Sequence, residues 1–126
     1  MSLYSKVTHM LNTLPKHVEL YIEGKPVGHV EVSRFADSWH FGNFQPDRAF
    51  SEFATLFSEW SLLIHADENE DKVSQATLDE LSKIERAIDA LHAELLLPTT
   101  GQRVAVEQIN IDGDMVELKL SEQPLT

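Results

Sequence analysis

Phe50, Phe53, Phe57, Trp60 and Ile64 recur at intervals of three, four, three and four residues, with Ala54 and Leu63 beside them. That is the period of an α-helix seen from one side. A stripe this broad and this aromatic cannot face water without inviting aggregation, so a sheet or a second helix must cover it. The rest of the chain therefore has to supply a large apolar surface for this helix.

Alternation supplies the candidates. In "HVELYIEGKPVGHVEV", Val18, Leu20 and Ile22 alternate with Glu19, Tyr21 and Glu23, and Val30 and Val32 alternate with His29, Glu31 and Ser33. Two half-buried strands around a turn at 24–26 fit this pattern. Pro26 cannot donate to a central ladder, so it belongs in the loop or on an edge. A third strand follows in "SWHFGNF". There Trp39 and Phe41 share the core face, His40 takes the opposite one, and a bulge or bend at Gly42 returns Phe44 to the core side. Pro46 suits the first position of the aromatic helix, and Asp47 in that first turn complements the helix dipole.

Further on, "RVAVEQINI" and "DMVELKL" flank Asp112-Gly113, a strong hairpin signal. Val104 and Val106 have one parity, Ile109 and Ile111 the other, which requires a bulge or bend near Gln108. Before this hairpin lies a second helix. Leu78, Leu81, Ile84, Ala87, Ile88, Leu91 and Leu95 form its stripe, which runs to the break at Pro98 to Gly101. Its cap is Thr77, with Glu80 at the capping-box position, or the earlier Ser74. A short helix over 2–13, read from Leu3, Val7, Met10, Leu11 and Leu14 and ended with the help of Pro15, opens the chain. The resulting order is α-β-β-β-α-α-β-β. Long βαβ alternation is absent, so the expected class is α+β: a single domain over 1–126, an antiparallel sheet covered on one face by helices.

The stretch "WHFGNFQPDRAF", read as Trp-x-x-Gly-x-Phe-x-Pro-x-x-x-Phe, resembles a pattern in small bacterial proteins of unassigned function. It covers about a tenth of the chain. The resemblance implies a strand that leads into a helix, and no activity.

Composition narrows the chemistry. The chain has no cysteine, which removes disulfides, thiol catalysis and Cys-ligated zinc or iron–sulfur sites. No apolar run reaches the length of a membrane span and the start lacks a signal-peptide core, so the expected setting is cytoplasmic, with no membrane contact. The formal charge is −11, and residues 51–97 hold eleven acidic against three basic side chains. With no basic stripe to release counterions, nucleic acid is an unfavourable partner. The acidic surface either keeps the protein soluble or attracts a basic partner or a cation.

Few residues point to a site. His65, Asp67, Glu68, Glu70 and Asp71 in "HADENEDK" form the best metal candidate, since hard cations prefer oxygen ligands. An EF-hand reading fails, because Lys72 replaces the turn glycine and Leu78 the bidentate carboxylate. The plainer alternative is a solvated acidic loop. The six histidines show no zinc spacing, although His65 with His92, or His29 with His40, are geometrically possible pairs. No Gly-x-Ser-x-Gly elbow or phosphate-cradling glycine loop is present, and no cofactor is expected. These readings lead to a non-enzymatic protein-binding or accessory module that presents Tyr21, His29 and His40, or an acidic helical face, to a protein partner. By charge alone it is inhibitor- or immunity-like, with a basic partner. The alternative is a small, cation-dependent hydrolase using His40 or His65 with nearby carboxylates. An exposed sheet face or edge would also allow a homo-oligomer.

Overall fold

The computed structural model describes residues 14–69 and 74–121. Two tight turns set the first three strands. Strand β1 (His17–Ile22) meets β2 (Lys25–Ala36) through Glu23 and Gly24, with φ of 52° and 77°. Strand β2 meets β3 (Trp39–Pro46) through Asp37 and Ser38, with φ of 53° and 73°. Two central residues at positive φ match the right-handed twist of the flanking strands. The first turn therefore precedes the expected 24–26, and Pro26 lies inside β2, opposite Tyr21 at a shift in register. Strands β5 (Arg103–Asp112) and β6 (Met115–Leu120) form the expected hairpin. Its central residues are Gly113 and Asp114, with φ of 63° at Gly113, so the turn is centred one residue later than Asp112-Gly113.

The sheet is not an open layer under helices. It closes into a six-stranded antiparallel barrel in the order β1-β2-β3-β6-β5-β4, and the expected α+β layer arrangement is overturned. The element that closes it is β4 (Ala93–Leu96), which the helical stripe had absorbed. Leu95 pairs with Leu20 of β1 on one side and with Val104 of β5 on the other. Leu91 and Leu95 do continue the helical spacing of Ile84 and Ile88. Ala93 and Leu95 also alternate with Glu94 and Leu96, however, and a short apolar run cannot be assigned by periodicity alone. Two strand partners and two buried side chains favour the extended form. The described residues thus run β-β-β-α-α-β-β-β. The helix expected over 2–13 lies outside them.

Parity within β3 is the reverse of the expected one. His40, Gly42 and Phe44 point inward, while Trp39 and Phe41 are half-buried on the outside. The bulge lies in the neighbouring strand, between Val32 and Arg34, and Ser33 there donates to the Phe41 carbonyl at 3.0 Å. The reason is space, since barrel diameter grows with strand number and six strands enclose a narrow interior. Phe44 already fills part of it. A Cβ on Gly42 would run into the Glu31 carbonyl, so even alanine is too large there. By contrast, the parity switch near Gln108 is present, as a register shift between Val106 and Gln108.

A 3-10 turn (Arg48–Phe50) follows β3, so Pro46 ends a strand instead of starting a helix. Helix α1 (Ser51–Asn69) and helix α2 (Gln75–Asp89) come next. Ser74 caps α2 by accepting from the Thr77 amide at 3.1 Å. Lys25, at the start of β2, binds Glu52 in the first turn of α1. His65, near the other end, lies 2.8 Å from Asp112 at the end of β5. In the ring of strands β2 and β5 stand opposite each other. The 19 residues of α1 span about 28 Å, so the helix lies across one end of the barrel. Phe53, Phe57 and Trp60 are buried against that end, and Phe44, Phe50 and Phe57 form a chain of rings at 4.9 and 5.9 Å. Inside, Val18, Leu20, Ile22, Val30, Leu95, Ile109, Val116 and Leu118 belong to the same core. Each large side chain buried this way contributes about 1.5–3 kcal/mol. Among the described residues, no helix is long and apolar enough to cross a membrane.

Candidate functional site

His40 is 2% exposed inside the barrel, with its ring 4.6 Å from that of Phe35. It points inward, contrary to its expected place on the outer face, and it pairs across strands with Phe35 and Leu118 rather than with His29.

The other expected site residues are dispersed. His29 is exposed on β2, 3.6 Å from Glu19. Tyr21 is half-buried on the outside of β1. Asp67 and Glu68 belong to the last turns of α1, so the expected acidic loop is partly helix, while Glu70 and Asp71 lie outside the described residues. His65 and His92 do not meet, since one engages Asp112 and the other Glu94. Among the described residues, no three His, Asp or Glu side chains are grouped to hold a metal ion.

Two outer flanks of the barrel carry organised polar chemistry, and neither stood out in the sequence. On the first, β1, β4 and β5 bring together Tyr21, Glu94 and Arg103. The Arg103 guanidinium lies 5.0 Å from the Tyr21 ring centroid and donates to Glu94 Oε2 at 3.2 Å. His92 Nε2 lies 2.7 Å from Glu94 Oε1, and the His92 amide donates to Glu23 at 2.9 Å. The hydrogen bond with His92, joined by that from Arg103, holds the Glu94 carboxyl below its usual value, against the opposing effect of burial. The charges of Glu94 and Arg103 thus meet each other within this flank.

The second flank is a cleft of about 300 Å³ between α2 and the outer face of the barrel, lined by Trp39, Glu85, Ile88, Asp89, Gln108 and Asn110. The local geometry follows from two periodicities. Gln108 and Asn110 are two apart on β5 and so share its outer face, while Glu85 and Asp89 are four apart on α2 and share one stripe. Buried Ile88 forms the floor. Lys119 of β6 pairs in register with both Trp39 and Gln108, and Glu117 pairs with both Phe41 and Asn110. Among the described residues, the side chains of Glu85, Asp89, Gln108, Asn110 and Lys119 make no hydrogen bond or ion pair, and the Trp39 ring stacks on nothing.

The helix brings two like charges to the cleft, with Arg86 in the same last turn as an opposite charge three residues before Asp89. Like charges at i, i+4 on a helix repel. Asp89 is also the last residue of α2, where the negative end of the helix dipole disfavours a carboxylate. A cation seated between the two would relieve both effects. The signals for this site were present in the sequence: an acidic i, i+4 pair at a helix end, and two carboxamides on the outward parity of a strand. Trp39 was misread as core because its parity depends on a bulge in another strand. No family model, curated protein or solved structure matches this chain.

Proposed function

We propose that this protein is a non-enzymatic binding module that receives a basic protein partner at the cleft between α2 and the barrel. The observation that carries the reading is the convergence of Glu85 and Asp89 with the open faces of Trp39, Gln108 and Asn110 around about 300 Å³. Such a volume stands at the small end of ligand pockets and suits a side chain better than a cofactor. The net charge of −11 favours the approach of a cation over distance. An inhibitor- or immunity-type role, in which an acidic surface covers a basic one in the cytoplasm, belongs to the same reading. Assembly through a free strand edge does not, since among the described residues the barrel closes on itself.

The test is a titration with a ten-residue oligolysine, followed by backbone and indole NMR shifts. The expected result is a response centred on Trp39, Gln108 and Asn110 that weakens as salt rises and is lost in the Glu85→Gln/Asp89→Asn double variant. A response spread over the outer faces of the helices, with Trp39 unmoved, would remove the cleft from the account.

A further inference from the structure

The first flank of the barrel shows what the second one lacks. Around Arg103, an aromatic ring and a carboxylate hold a single guanidinium, with the cation 5.0 Å from Tyr21 and 3.2 Å from Glu94. The outer face of β2 and β3 uses half of the same arrangement, with Arg34 4.4 Å from the centroid of Phe41. The cleft has an aromatic ring in Trp39, carboxylates in Glu85 and Asp89 and carbonyl acceptors in Gln108 and Asn110, but no guanidinium of its own. Its nearest cation by register is Lys119, which makes no ion pair among the described residues.

The geometry points to an arginine side chain of the partner, rather than a lysine, as the group that the cleft binds; this rests on the reading of the cleft as a site for a basic protein. The lining discriminates between the two for three reasons. A guanidinium is planar and stacks flat on an indole, whereas an ammonium is a compact, strongly hydrated point charge. Its five donors are spread around one plane, so two carboxylates and two carboxamide oxygens can be served together, where an ammonium has three donors on one nitrogen. Because it is more weakly hydrated, it loses less on entering a cleft floored by buried Ile88. Lys119 opposes any incoming cation, and Glu117, two residues away on the same face of β6, offsets part of that opposition.

The experiment compares three blocked peptides, Gly-Arg-Gly-Arg-Gly and its lysine and citrulline counterparts, by the indole N–H shift of Trp39 and by equilibrium dissociation constants. The arginine peptide should bind at least about tenfold more tightly than the lysine one, since stacking and planar hydrogen bonding add to the charge. The neutral citrulline peptide should bind more weakly still. The Glu85→Gln/Asp89→Asn variant should lose the preference for arginine, and Lys119→Gln should strengthen binding of both cationic peptides. Equal affinity for arginine and lysine at Trp39 would overturn the guanidinium assignment and leave the basic-partner reading standing. Absence of any response at Trp39 to either cationic peptide would overturn both. Binding of citrulline equal to arginine would also overturn the assignment, because charge would then play no part.

Discussion

Two flanks of one barrel use the same kinds of side chain to opposite effect. On the flank of β1, β4 and β5, Tyr21, Glu94, Arg103 and His92 satisfy one another. On the flank facing α2, Trp39, Glu85, Asp89, Gln108 and Asn110 converge on open space without side-chain polar partners among the described residues. Polar groups that find partners within the fold are spent on stability. Polar groups held near one another without partners make folding slightly less favourable and remain available to a ligand. The contrast matters more than the residue types, because a count of acidic, aromatic and amide side chains would not separate the two flanks.

The comparison can be tested from its largest consequence downward. Leu95→Ala empties a fully buried position under the paired flank, at the strand that closes the barrel. It should cost about 2–5 kcal/mol in urea unfolding. A cost below this range would mean that β4 does not contribute to the core as described. The next effect belongs to Glu94→Gln, which keeps the shape but removes the charge held by His92 and Arg103. About 1 kcal/mol should be lost near neutral pH. The folded Glu94 carboxyl ionises at lower pH than the unfolded one, so its contribution is complete above about pH 4.3 and disappears as pH falls through the depressed folded value. Unfolding curves of the two proteins should therefore differ at pH 7 and converge in acid. A difference that persisted unchanged at pH 2 would assign the loss to packing.

The smallest effect has the opposite sign. Glu85→Gln with Asp89→Asn removes an i, i+4 repulsion and an acid at the negative end of α2. Stability should rise by about 0.3–1 kcal/mol, while binding of cationic peptides disappears. A gain in stability with a loss of binding is the mark of residues kept for recognition. A loss of stability would place these carboxylates with the paired flank and erase the distinction.

Much of the local structure is legible in the sequence. The stripe of Phe53, Phe57 and Trp60 is buried as its spacing requires, and the parity switch near Gln108 is a bulge. Ser74, the earlier of two candidate caps, caps α2. The candidate site was much less legible. Tyr21 does belong to an organised cluster, but its partners Glu94 and Arg103 are distant in sequence, and no periodicity links them. His40 is a polar residue beside aromatics, yet it is the aromatics Trp39 and Phe41 that face outward while the histidine is enclosed.

The chain by itself determined where most helices and strands form, because hydrophobic period, turn residues and caps act over a few neighbouring positions. Only the tertiary structure decided that the sheet closes, that Ala93–Leu96 is a strand, and which way β3 turns its side chains. The physical reason is that these depend on partners far away in sequence. Leu95 becomes extended because Leu20 and Val104 lie on either side of it. Trp39 is turned outward because the six-stranded interior is too narrow for it and a bulge at Ser33 in β2 resets the register. With the indole outside, the cleft against α2 acquires its aromatic wall.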